Sequence, residues 1–391
     1  MMINKISAYL WVFAAFSMVF LYACKDAYKF DMDKMSAEAK IESNWALPLI
    51  DANMTLEELL PDDDSLDRYL IIDEDKFITL IFDKDFATYD VDTFMQDEPL
   101  FGDVLDYNSY RVEPQIIELG LNELLDEGNI HFANPSFKII IKNYWDIPAQ
   151  YKVLDFYYYE EENSVALPID APLLTNWNEI SRPANPGEFA LEEIALETAT
   201  SNVDEVLSAL PHSISIGMDV ETITDPPVSY DLRGVAPNEV SIEIRLPLEL
   251  SMSNIKMTDT IDLDLGDNLD MVDVKSLKME LTTKNGFPLE VNSQIYFADS
   301  VYVIIDSLFN TPLNIDPAQV ASGEVTSTSL TEKTIDLDTN QIDNIFKAKY
   351  LIPKLLFNTT NAENNEDVKF YTTYGIELKL GALIELNADI E

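Results

Sequence analysis

The sequence has few of the residues on which most catalytic and metal sites depend. It contains one cysteine, two histidines and eleven glycines in 391 residues. A single thiol leaves no partner for a disulfide bridge within the chain and no set of cysteines for zinc. No serine stands in a G-x-S-x-G elbow, and no glycine-rich loop precedes a predicted helix as phosphate-binding sites require. We therefore predict a non-enzymatic protein without a cofactor, a metal centre or catalytic residues.

Basic residues are also scarce. The chain has 25 lysines and arginines against 71 aspartates and glutamates, which gives a formal net charge of -46. This charge repels phosphate backbones, so nucleic acid is excluded as a partner. The chain is nevertheless 47% hydrophobic and 10% aromatic. Acidic disordered chains lack that much apolar surface, so we predict folded domains with sizeable cores.

The only cysteine, Cys24, directly follows the longest apolar run of the sequence, AYLWVFAAFSMVFLYA. That run is shorter than the ~20 residues needed to span a bilayer, so residues 1–23 are predicted to be an export signal peptide. The end of the signal and the cysteine resemble a bacterial lipobox: Leu21, Tyr22, Ala23 and Cys24. The resemblance implies that a lipid is attached to the Cys24 thiol after cleavage of the preceding peptide bond. Acyl chains of this kind hold a protein on a membrane.

Hydrophobic residues at every second position predict a β-rich chain. The longest alternating runs cover residues 240–252 and 376–386, and turn residues separate the shorter ones. Three short helices are predicted in TLEELL, VDEVLSAL and NQIDNIFKAK, with Thr55, Asn202 and Thr339 as their N-terminal caps. The predicted fold class is mainly β, with two tandem β-sandwich-like modules and a few short helices.

An internal repeat supports the division into two modules. SFKIIIKN from Ser136 resembles SLKMELTTKN from Ser276, and VDEVLSA from Val203 resembles IDNIFKA from Ile342, at offsets of 140 and 139 residues. A weaker match pairs Leu-Pro-Leu at 47–49 with the same residues at 246–248 and requires extra residues in the first copy. The predicted organisation is a signal peptide (1–23), a tether (24–43), a first module (44–235) with an acidic hairpin insertion at about 62–112, and a second module (236–391).

Two resemblances follow from these stretches. TTKNGFPLEVNSQIYF, a strand that ends in Lys-Asn before a Pro-led return strand, resembles the repeated unit of the water-stress and late-embryogenesis type of β-sandwich. The lipobox, the acidic tether, NWALPLIDANMTLEELL and NGFPLEVNSQIYFADSVYVIIDSLF together resemble lipoproteins of the Bacteroidota outer membrane, to which no reaction is assigned. The second resemblance implies an outer-membrane location. It leaves the periplasmic or cell-surface face open, because Lys25-Asp26-Ala27 matches the surface-export signal of that phylum only in part.

An aromatic cluster, YWDIPAQYKVLDFYYYEEE, is the candidate interaction site. Its predicted rim consists of Tyr144, Trp145, Tyr157 and Tyr159. Three interpretations stay open for these rings: packing in the core, contact with a protein along an edge strand, and stacking on a glycan. The acidic runs at 62–65 and 262–270 do not fit the register of a calcium loop, so we predict solvated acidic surfaces there.

These observations predict a lipid-anchored protein of the outer membrane that acts as a non-enzymatic structural or protein-binding component. Its expected partners are the membrane, through the N-terminal lipid, and other envelope proteins. A surface glycan-binding lipoprotein is the first alternative. A glycoside hydrolase with two catalytic carboxylates is the second, and the abundance of acidic residues prevents the sequence from singling out such a pair.

Overall fold

The computed structural model describes residues 43–59, 70–95, 99–103, 106–124, 127–185, 187–263 and 273–387. The predicted signal peptide, the lipobox with Cys24 and nearly all of the tether lie outside these ranges. Strands account for 56% of the structure and helices for 11%, which confirms the predicted mainly β class.

Every strand pairing in the described chain is antiparallel. The first strands are β1 (Ser43–Thr55), β2 (Leu70–Ile72), β3 (Ile78–Tyr89), β4 (Phe101–Gly102), β5 (Ser109–Glu118), β6 (Glu127–Phe132), β7 (Ser136–Asn143), β8 (Ala149–Tyr159), β9 (Leu167–Pro168), β10 (Asn178–Glu179), β11 (Ala190–Leu196), β12 (Ser213–Thr222), β13 (Tyr230–Asp231) and β14 (Asn238–Pro247). The others are β15 (Glu249–Thr258), β16 (Ile261–Asp262), β17 (Asp273–Asn285), β18 (Leu289–Ala298), β19 (Ile304–Ser307), β20 (Leu313–Ile315), β21 (Gln319–Ala321), β22 (Glu324–Ser327), β23 (Ser329–Leu337), β24 (Tyr350–Thr359), β25 (Val368–Lys369) and β26 (Gly375–Asn387).

The described helices are short. They are α1 (Leu56–Leu59), α2 (Val91–Met95), α3 (Val203–Ser208) and α4 (Thr339–Lys347), with three single turns of 3-10 helix at Leu121–Leu124, Pro172–Thr175 and Ala362–Asn364.

A first β-sandwich packs a sheet of order β11-β7-β14-β3-β2 against a sheet of order β10-β8-β12-β5. Apolar side chains alternate along these strands and point between the sheets, as in β7, where every second residue is buried. Phe137 of β7 and Phe156 of β8 meet across the sandwich, with ring centroids 5.7 Å apart.

A second β-sandwich repeats the strand order of the first. One sheet has the order β23-β17-β26-β1, and the other has the order β19-β18-β24-β15-β25. In this correspondence β7 matches β17, β8 matches β18, β12 matches β24, and β14 matches β26. The two sequence stretches that begin at Ser136 and Ser276 therefore occupy equivalent strands.

The two sandwiches are nested along the chain. Strand β1 pairs with β26 over its whole length, from Ser43 opposite Leu386 to Thr55 opposite Gly375. Strand β14 pairs with β3 and β7. The second sandwich thus takes its first strand from before the first sandwich and, apart from β6, its remaining strands from after it.

This pairing differs from the predicted boundaries of 44–235 and 236–391. Strand β1 lies in the predicted first module but completes the second sandwich. Strand β14 lies in the predicted second module but belongs to the first sandwich. Strand β3 lies within the predicted insertion at 62–112, yet it is an inner strand of the first sandwich. The physical reason is that apolar alternation runs unbroken from Val240 to Met252, so the pattern does not mark Leu248, where the chain passes between the sandwiches.

Backbone hydrogen bonds join the sandwiches where the chain crosses. Leu248 N donates to Ile78 O at 2.9 Å, and Phe370 N donates to Leu248 O at 2.9 Å. Strand β6, which precedes β7, adds to the second sandwich by pairing with β15. Most of the buried apolar residues of both sandwiches form one continuous cluster. A second, smaller cluster consists of Phe94, Met95, Trp145, Ile147, Tyr230 and Leu232.

One predicted helix cap is confirmed and two are wrong. Thr55 and Glu58 form a reciprocal capping box before α1, with distances of 2.9 and 3.4 Å. Asn202 does not cap α3, because its Oδ1 accepts from Asp170 N at 2.7 Å instead. Helix α4 is capped by Asp338, whose carboxylate accepts from Gln341 N, and Thr339 is the first helical residue.

Candidate binding site

The structure does not bring the four rim residues together. Trp145 is only 5% exposed, and its indole Nε1 donates to Ala236 O at 3.1 Å. The chain turns inward here because the buried Asn143 side chain accepts from Trp145 N and donates to Ser181 O. Trp145 is therefore a core residue, which corrects its placement on an exposed rim.

The three tyrosines of the predicted rim are half-buried and dispersed. Tyr144 packs its ring against Phe189 at a centroid distance of 5.4 Å. Tyr157 and Tyr159 lie at the far end of β8, roughly 30 Å away at the usual rise of an extended strand. Strand β8 is not a free edge, because β12 pairs along one side and β9 and β10 pair on the other.

Trp145 instead forms part of the wall of a cavity of about 50 Å³ between the two sheets of the first sandwich. The end of β3, β7 and β12 and the start of β5, β8 and β14 meet at this end of the sandwich, and α2 lies over it. The lining residues are Tyr89, Asp90, Thr93, Phe94, Tyr110, Val112, Ile141, Trp145, Tyr151, Ile180, Met218, Val220, Asn238 and Val240.

Two local features create this space. Helix α2 places Phe94 against Trp145, with ring centroids 5.3 Å apart. Asn238 stands between neighbouring strands and accepts from Tyr144 N through Oδ1 at 2.8 Å. At the matching place in the second sandwich, two glycines allow the backbones to meet directly, Gly286 N donating to Gly375 O at 2.8 Å. A Cβ on Gly286 would lie 2.7 Å from that carbonyl oxygen, so the glycine permits the closer approach.

The cavity is apolar except for a few oxygen atoms. The Tyr89 hydroxyl is buried and has no hydrogen-bond partner among the described residues. Burial, and to a smaller extent electrostatic interaction with Tyr110, raises the pKa of Tyr89 to about 12. Burial likewise raises the pKa of Tyr151. These phenols stay protonated at neutral pH, so they supply aromatic walls rather than a base or a nucleophile.

The second sandwich carries an exposed apolar hairpin, defined as residues 301–304, between β18 and β19. Its exposed fractions are Val301 69%, Tyr302 60%, Val303 56% and Ile304 49%. Asp299 fixes the turn, because its Oδ1 accepts from Val301 N and Val303 N at 2.9 and 3.0 Å. Tyr302 adopts a positive φ of 62° and stacks on Tyr350 with ring centroids 4.3 Å apart. The sequence did not predict this exposed hairpin, because a run of apolar residues is equally typical of an ordinary buried strand.

Neither a metal cluster nor a membrane helix is found in the part of the chain that the structure describes. No group of three or more His, Cys, Asp and Glu residues there is placed to hold a metal ion. No described helix is long and apolar enough to cross a membrane. The acidic run at 62–65 and most of the run at 262–270 lie outside the described residues.

No protein-family model matches the chain, and no curated protein matches it. Among solved structures, it is similar to a protein of Parabacteroides distasonis that is described as secreted, with 14% identity and a TM-score of 0.42, covering 87% of this chain and 99% of that one. It is also similar to VP2 of infectious bursal disease virus in a subviral particle, with 10% identity and a TM-score of 0.20, covering 76% of this chain and 78% of that one. Likenesses this low carry no argument about function, which has to rest on the residues of the chain itself.

Proposed function

We propose that the protein is an exported, lipid-anchored component of the bacterial outer membrane that binds another envelope protein and catalyses no reaction. The exposed apolar hairpin at 301–304 is the observation that carries this proposal. Four consecutive apolar side chains on a fixed turn are costly to leave in water, and such patches mark interaction sites. Aromatic residues such as Tyr302 are favoured at protein interfaces.

The expected partner presents an apolar pocket surrounded by basic residues. The chain carries a net charge of -46, and a complementary charge speeds association and discourages wrong partners. The lipid on Cys24 would hold the protein at the membrane where such a partner resides. Replacing Cys24 by Ala is expected to release the protein from the membrane fraction, and retention of the variant there would contradict the anchor.

Cross-linking in intact cells tests the protein contact. A membrane-impermeant, lysine-reactive reagent is applied, and the joined proteins are identified by mass spectrometry. We expect the double variant Val301→Ser and Val303→Ser to lose the main cross-linked partner, because it removes apolar contact area and keeps the turn. The matched control is Val165→Ser, a single exposed valine of the first sandwich. Equal recovery of the partner with both variants would exclude the hairpin as the contact.

The same experiment decides the face of the membrane. Cross-links formed in intact cells indicate the cell surface. Cross-links that form only after the outer membrane is opened indicate the periplasm, and they would remove the alternative of surface glycan capture.

A further inference from the structure

The outer face of β12 carries a trough that runs along the strand, with Ser213, Ser215 and Gly217 as its floor. Ile214 and Ile216 belong to the core of the sandwich, so the three floor residues between and beside them point towards solvent. Small side chains on an inner strand leave a depression where the neighbouring strands carry larger ones. The floor of the trough is therefore low along the first half of β12.

Larger side chains of the two neighbouring strands form the walls of the trough. On the β8 side, Tyr159 lies opposite Ser213 and Tyr157 lies opposite Ser215. On the β5 side, Ile116 lies opposite Ser215 and is 67% exposed. An isoleucine this exposed has no other part of the described chain packed over it, so the trough opens to solvent beside this wall.

The trough collects hydroxyl groups that the protein does not use. Ser213, Ser215, Tyr157 and Tyr159 make no side-chain hydrogen bond within the described chain. Ser213 is only 5% exposed and Ser215 only 4%, yet their hydroxyl groups are open to solvent, unlike the enclosed hydroxyl of Tyr89. Buried hydroxyl groups normally have a partner, because an unpaired one costs free energy. These four hydroxyls are therefore available as donors and acceptors to a ligand.

The surroundings of the trough select the class of ligand. The backbone of β12 pairs with β5 on one edge and β8 on the other, so a peptide cannot add to it as a further strand. An anion would meet the exposed carboxylate of Glu118, opposite Ser213, while the nearby Arg111 is bound to Asp155 at 2.7 Å. A sugar chain is uncharged, carries many hydroxyl groups and has apolar C–H faces that pack on aromatic rings.

We propose that this trough binds an extended, uncharged oligosaccharide, with sugar hydroxyls bonded to Ser213 and Ser215 and a sugar face packed against Tyr157. The two serines lie about 7 Å apart along the strand, so they contact successive parts of a linear sugar chain. The trough lies in the first sandwich, so it does not rest on the protein contact proposed for residues 301–304 in the second, and the two proposals fail separately.

Three linear probes of equal length test the class of ligand. Calorimetric titration of the purified full chain, in a detergent without a sugar head group, compares cellopentaose, N-acetylchitopentaose and the β-1,4-linked pentamer of glucuronate. We expect at least one uncharged probe to bind about tenfold more tightly than the glucuronate pentamer, because the carboxylates are repelled by Glu118 and by the chain charge of -46. Raising the salt concentration should leave the affinity of the uncharged probe unchanged. No binding of either uncharged probe, or equal binding of the charged one, overturns the proposal.

Variants locate the binding to the trough. Ser215→Val removes a hydroxyl and fills the floor with a side chain that suits a strand, so the bound probe should lose about tenfold in affinity. The matched control is Ser241→Val, on the outer face of β14 in the opposite sheet. Tyr157→Ala removes the wall and should cost about tenfold, whereas Tyr107→Ala, an exposed tyrosine outside the trough, should have no effect. Unchanged binding in both Ser215→Val and Tyr157→Ala contradicts the site.

A structural readout separates binding in the trough from binding elsewhere on the surface. The δ-methyl resonance of Ile116, assigned with Ile116→Val, should shift on addition of the uncharged probe. The δ-methyl resonance of Ile304, on the exposed hairpin of the second sandwich and assigned with Ile304→Val, should stay in place. A shift of Ile304 without a shift of Ile116 would place the sugar on the hairpin and overturn the proposal.

Discussion

At the scale of single residues, two buried asparagines hold equivalent loops of the two sandwiches. Asn143 donates to Trp145 O and Ser181 O, and it accepts from Trp145 N. Asn285 donates to Leu289 O at 2.8 Å and to Asp316 O at 3.0 Å, and it accepts from Phe287 N. Each amide stands at the end of its strand, β7 or β17, and satisfies buried backbone groups of the loops beside it.

Replacing Asn285 by Ala is expected to lower the free energy of unfolding by about 3 kcal/mol. The substitution leaves the Leu289 carbonyl and the Phe287 N–H without the Asn285 partner, while the Asp316 carbonyl keeps its bond from the Ser329 hydroxyl. Each unsatisfied buried group costs about 1–3 kcal/mol. Urea unfolding monitored by circular dichroism measures the change. Asn314→Ala is the control, because Asn314 is exposed on β20 and should change the stability by less than about 0.5 kcal/mol. A similar cost for both variants would contradict the role of burial.

The buried phenol of Tyr89 predicts a specific loss of stability in alkali. An unfolded tyrosine loses its proton near pH 10, whereas the pKa of folded Tyr89 is raised to about 12. Between these values the folded state binds more protons than the unfolded state, so stability falls as the pH rises. The melting temperature of Tyr89→Phe should fall less than that of the unaltered protein between pH 10 and 12. The difference in melting temperature between the two proteins should stay constant from pH 6 to 8, where Tyr89 is protonated in both the folded and the unfolded state.

At the scale of elements, the sequence predicted strands and helices better than their ends. Period-two alternation located β14, β15 and β26, because burial of one sheet face forces that pattern, but it did not separate β14 from β15. The cap of α4 was misplaced by one residue, since Asp338 and Thr339 are both good capping residues and only backbone geometry separates them.

The Asp338 capping box can be tested by substitution. Asp338→Ala should lower the free energy of unfolding by about 1 kcal/mol, because Gln341 N loses its acceptor. Asp338→Asn retains an acceptor oxygen and is expected to restore most of the stability. If both substitutions lowered the stability equally, the negative charge of Asp338 would stabilise the helix, and its hydrogen bond with Gln341 N would not.

Local sequence patterns predicted little of the cavity in the first sandwich. The aromatic cluster drew attention to Trp145, but Tyr89, Phe94 and Tyr110 come from segments with no local aromatic pattern. Only the pairing of β14 with β3 and of β12 with β5 and β8 brings these segments to one end of the sandwich. Such long-range pairing leaves no trace in residue spacing, which explains why the cavity could not be predicted.

At the scale of the whole molecule, the nested order predicts an asymmetric response to truncation. Removing residues 43–55 deletes β1, whose only strand partner in the described chain is β26 of the second sandwich. Hydrogen exchange should then increase in residues 273–387, while residues 78–247 keep their protection. Increased exchange confined to residues 78–247 would instead support a simple tandem order. The control is a chain that lacks residues 1–42 and keeps β1. It should keep protection in both sandwiches.

The pairing of Ser43 with Leu386 also has a consequence for the order in which the two sandwiches close. A chain that crosses a membrane from its N-terminus delivers β1 first and β26 last, with the whole first sandwich between them. The first sandwich can close as soon as β14 has emerged, whereas β1 must wait without a partner. A chaperone would therefore meet one finished sandwich and one open edge on the same molecule. The second sandwich therefore cannot close before its last strand, β26, is available.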